Sequence, residues 1–381
     1  MKRRIRYGMV GGGPGSFIGG VHRRAARLDG EIELVCGAFD IDPAKSKGMA
    51  KELYLPEDRC YLNYEEMFEK ESRLPEGERM DFVSICTPNH LHYRIAMAAM
   101  EHGFNVLCEK PMTLTIEDAE SLAAEVEKTG ALFCLNHNYT AYPVVRAARD
   151  MIREGRLGEI RRIMVEYPQG WLADVVTSDN MQGSWRTNPK TTGVSCCMGD
   201  IGSHAENLSE FVTGLKITEI CAGIKNFVPG RSGLDDDGDV LLRFDNGAEG
   251  VLSASQIAVG EENALRIRIY GSKAAIEWRQ ENPETLIMKF NNGPQQIFRR
   301  NWAGFAAKWS RIPAGHPEGF FEALANIYTD FAHAIDAKLE GREYKGEFPT
   351  VWDGVRGVKF IHAVIAGAKT GAWLEFTDRG E

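Results

Sequence analysis

The chain has 381 residues, more than one hydrophobic core usually serves, so two domains are expected. Its composition, 43% hydrophobic and 26% charged, is that of an ordinary globular protein. The 45 Lys+Arg against 54 Asp+Glu give a formal charge of -9, and no basic run interleaves with aromatics, which counts against nucleic acid and anionic membranes as partners. The opening MKRRIRYGMVGGG is basic, but no apolar segment or small-residue cleavage site precedes its glycines, so a cytoplasmic location is expected. No apolar run approaches the roughly 18 residues that span a bilayer.

In the first third, short apolar runs alternate with helical patterns. RIRYGMVG, IELVCGAFD, DFVSICTP, NVLCEKP and ALFCLNHN read as strands. FIGGVHRRAARLDG, PAKSKGMAKELYL, HLHYRIAMAAMEHG and IEDAESLAAEVEKTG read as the helices between them. That alternation predicts a parallel, doubly wound α/β domain of the Rossmann type over residues 1–140. After the helix YPVVRAARDMIREG the pattern changes. EIRRIMVEYP, ITEICAGIKNF, DGDVLLRFDNG, AEGVLSASQIA, ALRIRIYGS, AAIEWRQ and TLIMKF follow without helices between them, some joined by the turns DNGA and GSKA. They predict a large, mainly antiparallel open sheet. Two long helices, PEGFFEALANIYTDFAHAIDAKLEG and VWDGVRGVKFIHAVIAGAKTG, end an α+β domain over residues 141–381. An uncovered face of such a sheet is a natural subunit interface, so a homodimer or homotetramer is expected.

The stretch GMVGGGPGSFIGGVHR follows a strand and opens a helix, the context in which glycines cradle a dinucleotide pyrophosphate. Gly11 and Gly13 fit the first two positions of G-x-G-x-x-G, while the third falls on Ser16 at plain spacing. With three residues inserted it falls on Gly19, the preferred reading, in which a hydrogen alone fits between helix and strand. Phe17 and Ile18 then begin the helix beside the cofactor, and the Ser16 hydroxyl is placed to donate to the pyrophosphate. Asp40, 21 residues after Gly19, is near the spacing at which an acid bonds the adenosine ribose and repels a 2'-phosphate, so NAD is expected over NADP. The alternative is a helix cap, for which Asp42 before Pro43 is well placed.

There is no C-x-x-C and no zinc spacing among the eight cysteines, and the adjacent Cys196 and Cys197 read as reduced packing thiols; no metal is expected.

With that loop, SICTPNHLH at 84–92, CEKP at 108–111 and WRTNPKTTGVSCCMGDIGSH at 185–204, the chain resembles the glucose-fructose oxidoreductase / inositol dehydrogenase / MocA family along essentially its whole length. The resemblance implies an NAD(P)-dependent oxidation or reduction of a sugar, cyclitol or related hydroxyl compound. By position, Lys110 matches the family's lysine, Asp200 its aspartate and His204 its catalytic histidine. Pro111 matches a proline whose preceding bond is often cis. Glu109 belongs to the same cofactor-side motif. Thr87, Pro88 and Asn89 fall where relatives pass the chain beside the cofactor, and His92 matches that motif's histidine, with a packing or helix-start role as the alternative.

The chemistry suits these residue types. Hydride leaves an alcohol carbon only as the hydroxyl proton is removed, and histidine titrates near neutrality. Asp200 stands four residues before His204, on one helical face, where it can orient the imidazole or bind a substrate hydroxyl. Lys110 ends a strand at the carboxyl edge of the sheet, where its ammonium can polarise the reacting oxygen.

Asn136 and Asn138 end the last parallel strand and are expected at ribose or substrate. Where many relatives have an arginine, this chain has Thr140. Trp185 and Arg186 offer a stacking wall and a hydroxyl contact for a sugar. His316 with Glu318 is a further substrate candidate, the alternative being a loop that caps the long helix near Pro317. The expected function is NAD-dependent dehydrogenation of a secondary hydroxyl on a sugar, sugar derivative or inositol. The rivals are a glycoside-processing enzyme that recycles bound NAD and a non-catalytic dinucleotide sensor.

Overall fold

The computed structural model describes residues 1–377 apart from positions 2 and 178. The predicted alternation produces β1 (Ile5–Gly11), α1 (Phe17–Arg27), β2 (Ile32–Ala38), α2 (Pro43–Leu53), α3 (Tyr64–Ser72), β3 (Phe82–Cys86), α4 (His92–Glu101), β4 (Asn105–Cys108), α5 (Ile116–Thr129) and β5 (Phe133–Leu135). The five strands form one sheet in the order β2-β1-β3-β4-β5, every pair parallel. Its inner strands β3 and β4 are buried on both faces, which is why they read as unbroken apolar runs. The helix α3 is absent from the predicted set. Its buried apolar residues, Met67 and Phe68, are adjacent and give no helical period, and the structural signal is the cap, Asn63 Oδ1 accepting from Glu66 N.

The remaining elements are α6 (Pro143–Arg153), β6 (Ile160–Pro168), α7 (Met181–Arg186), α8 (Pro189–Thr192), a π-helical turn at Met198–Gly202, α9 (Ser203–Thr213), β7 (Ile217–Lys225), β8 (Asp237–Phe244), β9 (Glu249–Ser255), β10 (Arg266–Gly271), β11 (Ala275–Arg279), β12 (Thr285–Lys289), β13 (Gln296–Arg299), α10 (Phe320–Leu339), α11 (Val351–Thr370) and β14 (Leu374–Glu375). A nine-stranded sheet runs β13-β12-β11-β10-β6-β9-β8-β7-β14, antiparallel except where β6 meets β9. DNGA and GSKA close its hairpins, with Phe244 N bonded to Ala248 O and Gly271 N to Ala274 O. The inward positions of this sheet, such as Ile163, Leu242, Leu252, Ile267 and Trp278, share one core with α6 and α9.

The chain divides into two compact units, Met1–Asn136 with Leu324–Val355, and His137–Ala323 with Arg356–Glu381. This corrects the expected division at residue 140, because part of the C-terminal sequence packs with the parallel sheet. Tyr328 Oη bonds Ser84 Oγ at 2.8 Å, Lys338 Nζ donates to Gly130 O at 2.7 Å, and Leu135 N donates to Pro349 O. Among the described residues no helix is long and apolar enough to cross a membrane.

Candidate active site

In the first unit the glycine loop is built by close approaches. A Cβ on Gly11, whose φ is +80°, would lie 2.6 Å from the Cys86 carbonyl oxygen. One on Gly19 would lie 2.3 Å from Gly12 Cα, so α1 meets the loop at a place where a hydrogen alone fits, as the inserted spacing expects. The facing residue is Gly12; Gly13 sits against the Phe39 carbonyl, 2.6 Å from a Cβ there. Ser16 is the N-cap of α1, its Oγ accepting from Gly19 N at 3.2 Å. Phe17 is exposed and Ile18 half-buried. The loop thus presents a helix N-terminus to any anion above it.

Asp40 is half-buried at the end of β2, and its Oδ1 accepts from Asp42 N at 2.9 Å. Asp42 caps α2 through Ala44 N with Pro43 in the first turn, so the cap belongs to Asp42. Thr87, Pro88 and Asn89 leave β3 at the carboxyl edge of the sheet. Thr87 Oγ1 and, at the end of β5, Asn136 Oδ1 are buried without a hydrogen-bond partner. These orphaned groups at the carboxyl edge, with the glycine cradle, fit a dinucleotide.

His92 takes the packing, helix-start role that stood beside the cofactor contact. It is fully buried at the start of α4, one ring nitrogen 2.9 Å from Pro111 O and the other 2.9 Å from Thr87 O, and burial lowers its pKa. It ties the loop after β3 to the one after β4. Glu109 is likewise engaged within the protein: its Oε1 lies 2.7 Å from His22 Nε2 and 2.5 Å from Asn136 Nδ2, and its Oε2 accepts from Lys110 N at 3.3 Å. His22 Nδ1 meets Tyr328 Oη at 2.7 Å. Burial opposes both charges of the pair. The Cys86 sulfur and the Glu109 carboxylate nevertheless hold His22 up at about 10, and His22 and Asn136 hold Glu109 down at about 2. Lys110 is half-buried, and its bond to Pro111 is cis.

In the second unit Asp200 lies in the π-helical turn that leads into α9. Its Oδ2 accepts from Arg186 Nε at 3.1 Å and from Gln256 Nε2 at 3.0 Å. The Arg186 guanidinium stacks 4.2 Å from the Trp185 ring centroid and 5.6 Å from that of Trp171, so Trp185 and Arg186 form one polar-aromatic wall. His204, 8% exposed, faces His137, Nδ1 to Nδ1 3.4 Å, and its ring stands edge-on to Tyr139 at 4.8 Å. Tyr139 Oη meets Tyr167 Oη at 2.5 Å, and Tyr167 donates to Asn263 Oδ1 at 2.6 Å. Asn138 is buried, its Nδ2 without a hydrogen-bond partner, and Thr140 Oγ1 donates to the His137 carbonyl.

Three residues behind this turn escaped the sequence reading: His137, Gln256 and Asp235. Buried Asp235 accepts from Ser195 Oγ at 3.0 Å, Cys196 N at 2.9 Å and Met198 N at 2.7 Å. Cys196 and Cys197 are buried with thiols pushed up by burial, Cys196 to about 12. Among the described residues no group of three or more His, Cys, Asp or Glu is placed to hold a metal. His316 is exposed, its Nδ1 3.3 Å from Pro313 O. Glu318 takes the loop-forming alternative: buried, it accepts from Arg311 N and Ile312 N and pairs with Arg300 at 2.9 Å.

The family described as oxidoreductase family, NAD-binding Rossmann fold, matches residues 5–137, and the GFO/IDH/MocA C-terminal domain matches residues 145–277. The chain therefore belongs to the GFO/IDH/MocA oxidoreductases, and its first unit carries their NAD-binding Rossmann domain. It is 35% identical to the uncharacterized oxidoreductase YfiI of Bacillus subtilis over 99% of this chain and 98% of that one. It is 28% identical to the levoglucosan dehydrogenase of Pseudarthrobacter phenanthrenivorans over 77% of this chain and 79% of the other. Structures of an inositol dehydrogenase homolog from Azotobacter vinelandii, one with NAD+ and one with NADH and myo-inositol, are 35% identical. Each covers 98% of both chains, with TM-scores of 0.95 and 0.90.

Proposed function

We propose that this chain is a cytoplasmic NAD-dependent dehydrogenase that oxidises a secondary hydroxyl of a sugar, sugar derivative or cyclitol, with His204 as the general base. The observation that carries the reading is His204 itself. It is an imidazole held by rings at the head of α9, one turn after a carboxylate, Asp200, that Arg186 and Gln256 fix. The family's NAD-binding domain and the relatives' levoglucosan and myo-inositol support a polyhydroxylated substrate.

Gly11, Gly13, Ser16, Phe17, Ile18 and Gly19 would hold the pyrophosphate, Asp40 the adenosine ribose, and Thr87, Pro88, Asn89 and Lys110 the remainder of the dinucleotide. NAD, when bound, supplies the acceptor for the substrate's hydride. His204 takes the hydroxyl proton as the carbon gives up its hydrogen. Asp200 binds or orients a neighbouring hydroxyl, and Trp185, Arg186 and Asn138 complete the substrate's surroundings. Lys110 lends positive charge to the oxygen as its proton departs. Self-association would run through the nine-stranded sheet, a reading that exposed Leu241 on β8 and Ile297 on β13 support and that analytical ultracentrifugation tests.

The deciding experiment is a panel of myo-inositol, its stereoisomers, aldoses, levoglucosan and glycosides, followed both for NADH and for product by chromatography. Accumulating NADH supports the dehydrogenase. Product without net NADH replaces it with recycling chemistry, and NAD binding without any product replaces it with a sensor.

A further inference from the structure

Resting on His204 as the base, we infer that His137 is a positioning residue that fixes the His204 tautomer, accepting a hydrogen bond from Nδ1–H of His204 and leaving Nε2 as the atom that takes the substrate proton. The two Nδ1 atoms face each other at 3.4 Å, with the rings at 84° and their centroids 5.3 Å apart. Two facing imidazole nitrogens form a hydrogen bond only when one carries a proton and the other does not. If His137 were the donor, neutral His204 would carry its own proton on Nε2 and have no lone pair there for a substrate. The reverse assignment alone gives a base at Nε2.

The backbone explains why His137 can do this. It opens the short helical turn Asn138–Ala141, and Thr140 Oγ1 donates to the His137 carbonyl at 2.8 Å, which closes the turn that carries the ring. The ring is 2% exposed, so water does not compete for its Nδ1. On the other side Tyr139 at 4.8 Å and Tyr167 at 6.4 Å wall the His204 ring, which limits its rotation about Cβ–Cγ. A neutral imidazole thus occupies the place that a carboxylate takes in a Ser-His-Asp triad. When His204 gains the substrate proton on Nε2, Nδ1–H stays bonded to His137, and no further proton needs to move. The 3.4 Å separation is long for such a bond, as is common before substrate binds.

The test uses the full chain saturated with NAD and labelled with 15N in its nine histidines. Long-range 1H–15N spectra report which nitrogen of each neutral ring is protonated, with His204→Gln and His137→Phe supplying assignments. The expected result is His204 protonated on Nδ1 and His137 on Nε2. In His137→Phe, which keeps a ring of similar size but has no acceptor, kcat on the best substrate of the panel falls by about tenfold or more while KM for NAD stays constant. His137→Asn, whose side-chain oxygen can accept, recovers part of that loss. Wild-type His204 protonated on Nε2, or His137→Phe turning over like wild type, overturns the inference. If His204→Ala retains turnover, the base assignment fails and the inference falls with it. If His204→Ala is inactive and the tautomer is the other one, this inference alone fails.

Discussion

His22 and Glu109, 87 residues apart in sequence, form a buried pair, Nε2 to Oε1 2.7 Å, beneath the carboxyl edge of the parallel sheet. His22 stands at about 10, above its ordinary 6.5, so its contribution to stability is whole below pH 6.5 and is lost as pH rises toward about 10. Glu109 stands at about 2, below its ordinary 4.5, so its contribution is whole above pH 4.5 and is lost as pH falls toward about 2. The pair stabilises most between those two ordinary values. His22→Gln takes the cationic partner from a largely buried carboxylate and should cost about 3 kcal/mol in urea unfolding inside that window. The gap to wild type should shrink as pH is raised beyond it; a gap that grows with pH would mean that His22 is unprotonated in the fold.

NAD should bind more tightly than NADP. Asp40 is fixed by the Asp42 amide, and the adjacent Ile41 is 94% exposed, so a longer side chain there meets no packing obstacle. Asp40→Ser with Ile41→Arg should move the preference toward NADP, because the charge that repels a 2'-phosphate is replaced by one that attracts it. Calorimetric titration showing that wild type already prefers NADP would remove Asp40 from the ribose.

Gly19→Ala and Gly20→Ala should behave oppositely. A methyl at Gly19 meets Gly12 Cα at 2.3 Å, backbone against backbone, so the loop must shift; NAD affinity should fall and stability drop by about 1–3 kcal/mol. At Gly20 the nearest atom is the flexible end of Arg24 at 3.6 Å, and the helix should gain about 0.5–1 kcal/mol with NAD binding unchanged. Equal effects at both positions in thermal melts would argue against the close approach.

His204→Ala should leave NAD binding nearly unaltered and lower turnover by about a hundredfold or more, the usual scale for a positioned base. In wild type the rate of alcohol oxidation should rise with pH as a histidine loses its proton, and this limb should be missing from the variant's profile. A variant that keeps both rate and limb would move proton transfer to Lys110.

Strands β1 to β12 were legible because each apolar run is bounded by glycine, proline or a tight turn, and the loop because it sits between a strand and a helix; β13 and β14 were not, the one being largely exposed and the other two residues long. Proximity across the fold was not legible. His22 and Tyr328 are 306 residues apart and meet at 2.7 Å, and no local pattern announces that. His137 stood in plain view between Asn136 and Asn138, but a histidine in a strand-ending run carries no signal until its partner 67 residues later is known. His92 was read through a motif, which marks position and leaves burial open. The helices that contribute residues 324–355 read as ordinary amphipathic ones, and their sequence does not say which sheet they cover.

The cysteine distribution has a practical consequence. Seven of the eight thiols are buried, and Cys221 on β7 alone is partly open to solvent. Cys196 and Cys197, though a few positions from Asp200, lie behind the turn that Asp235 ties down. A maleimide dye should therefore attach to the folded chain at Cys221 ahead of the other seven, giving a single fluorescent reporter on the nine-stranded sheet of a protein whose chemistry is left untouched.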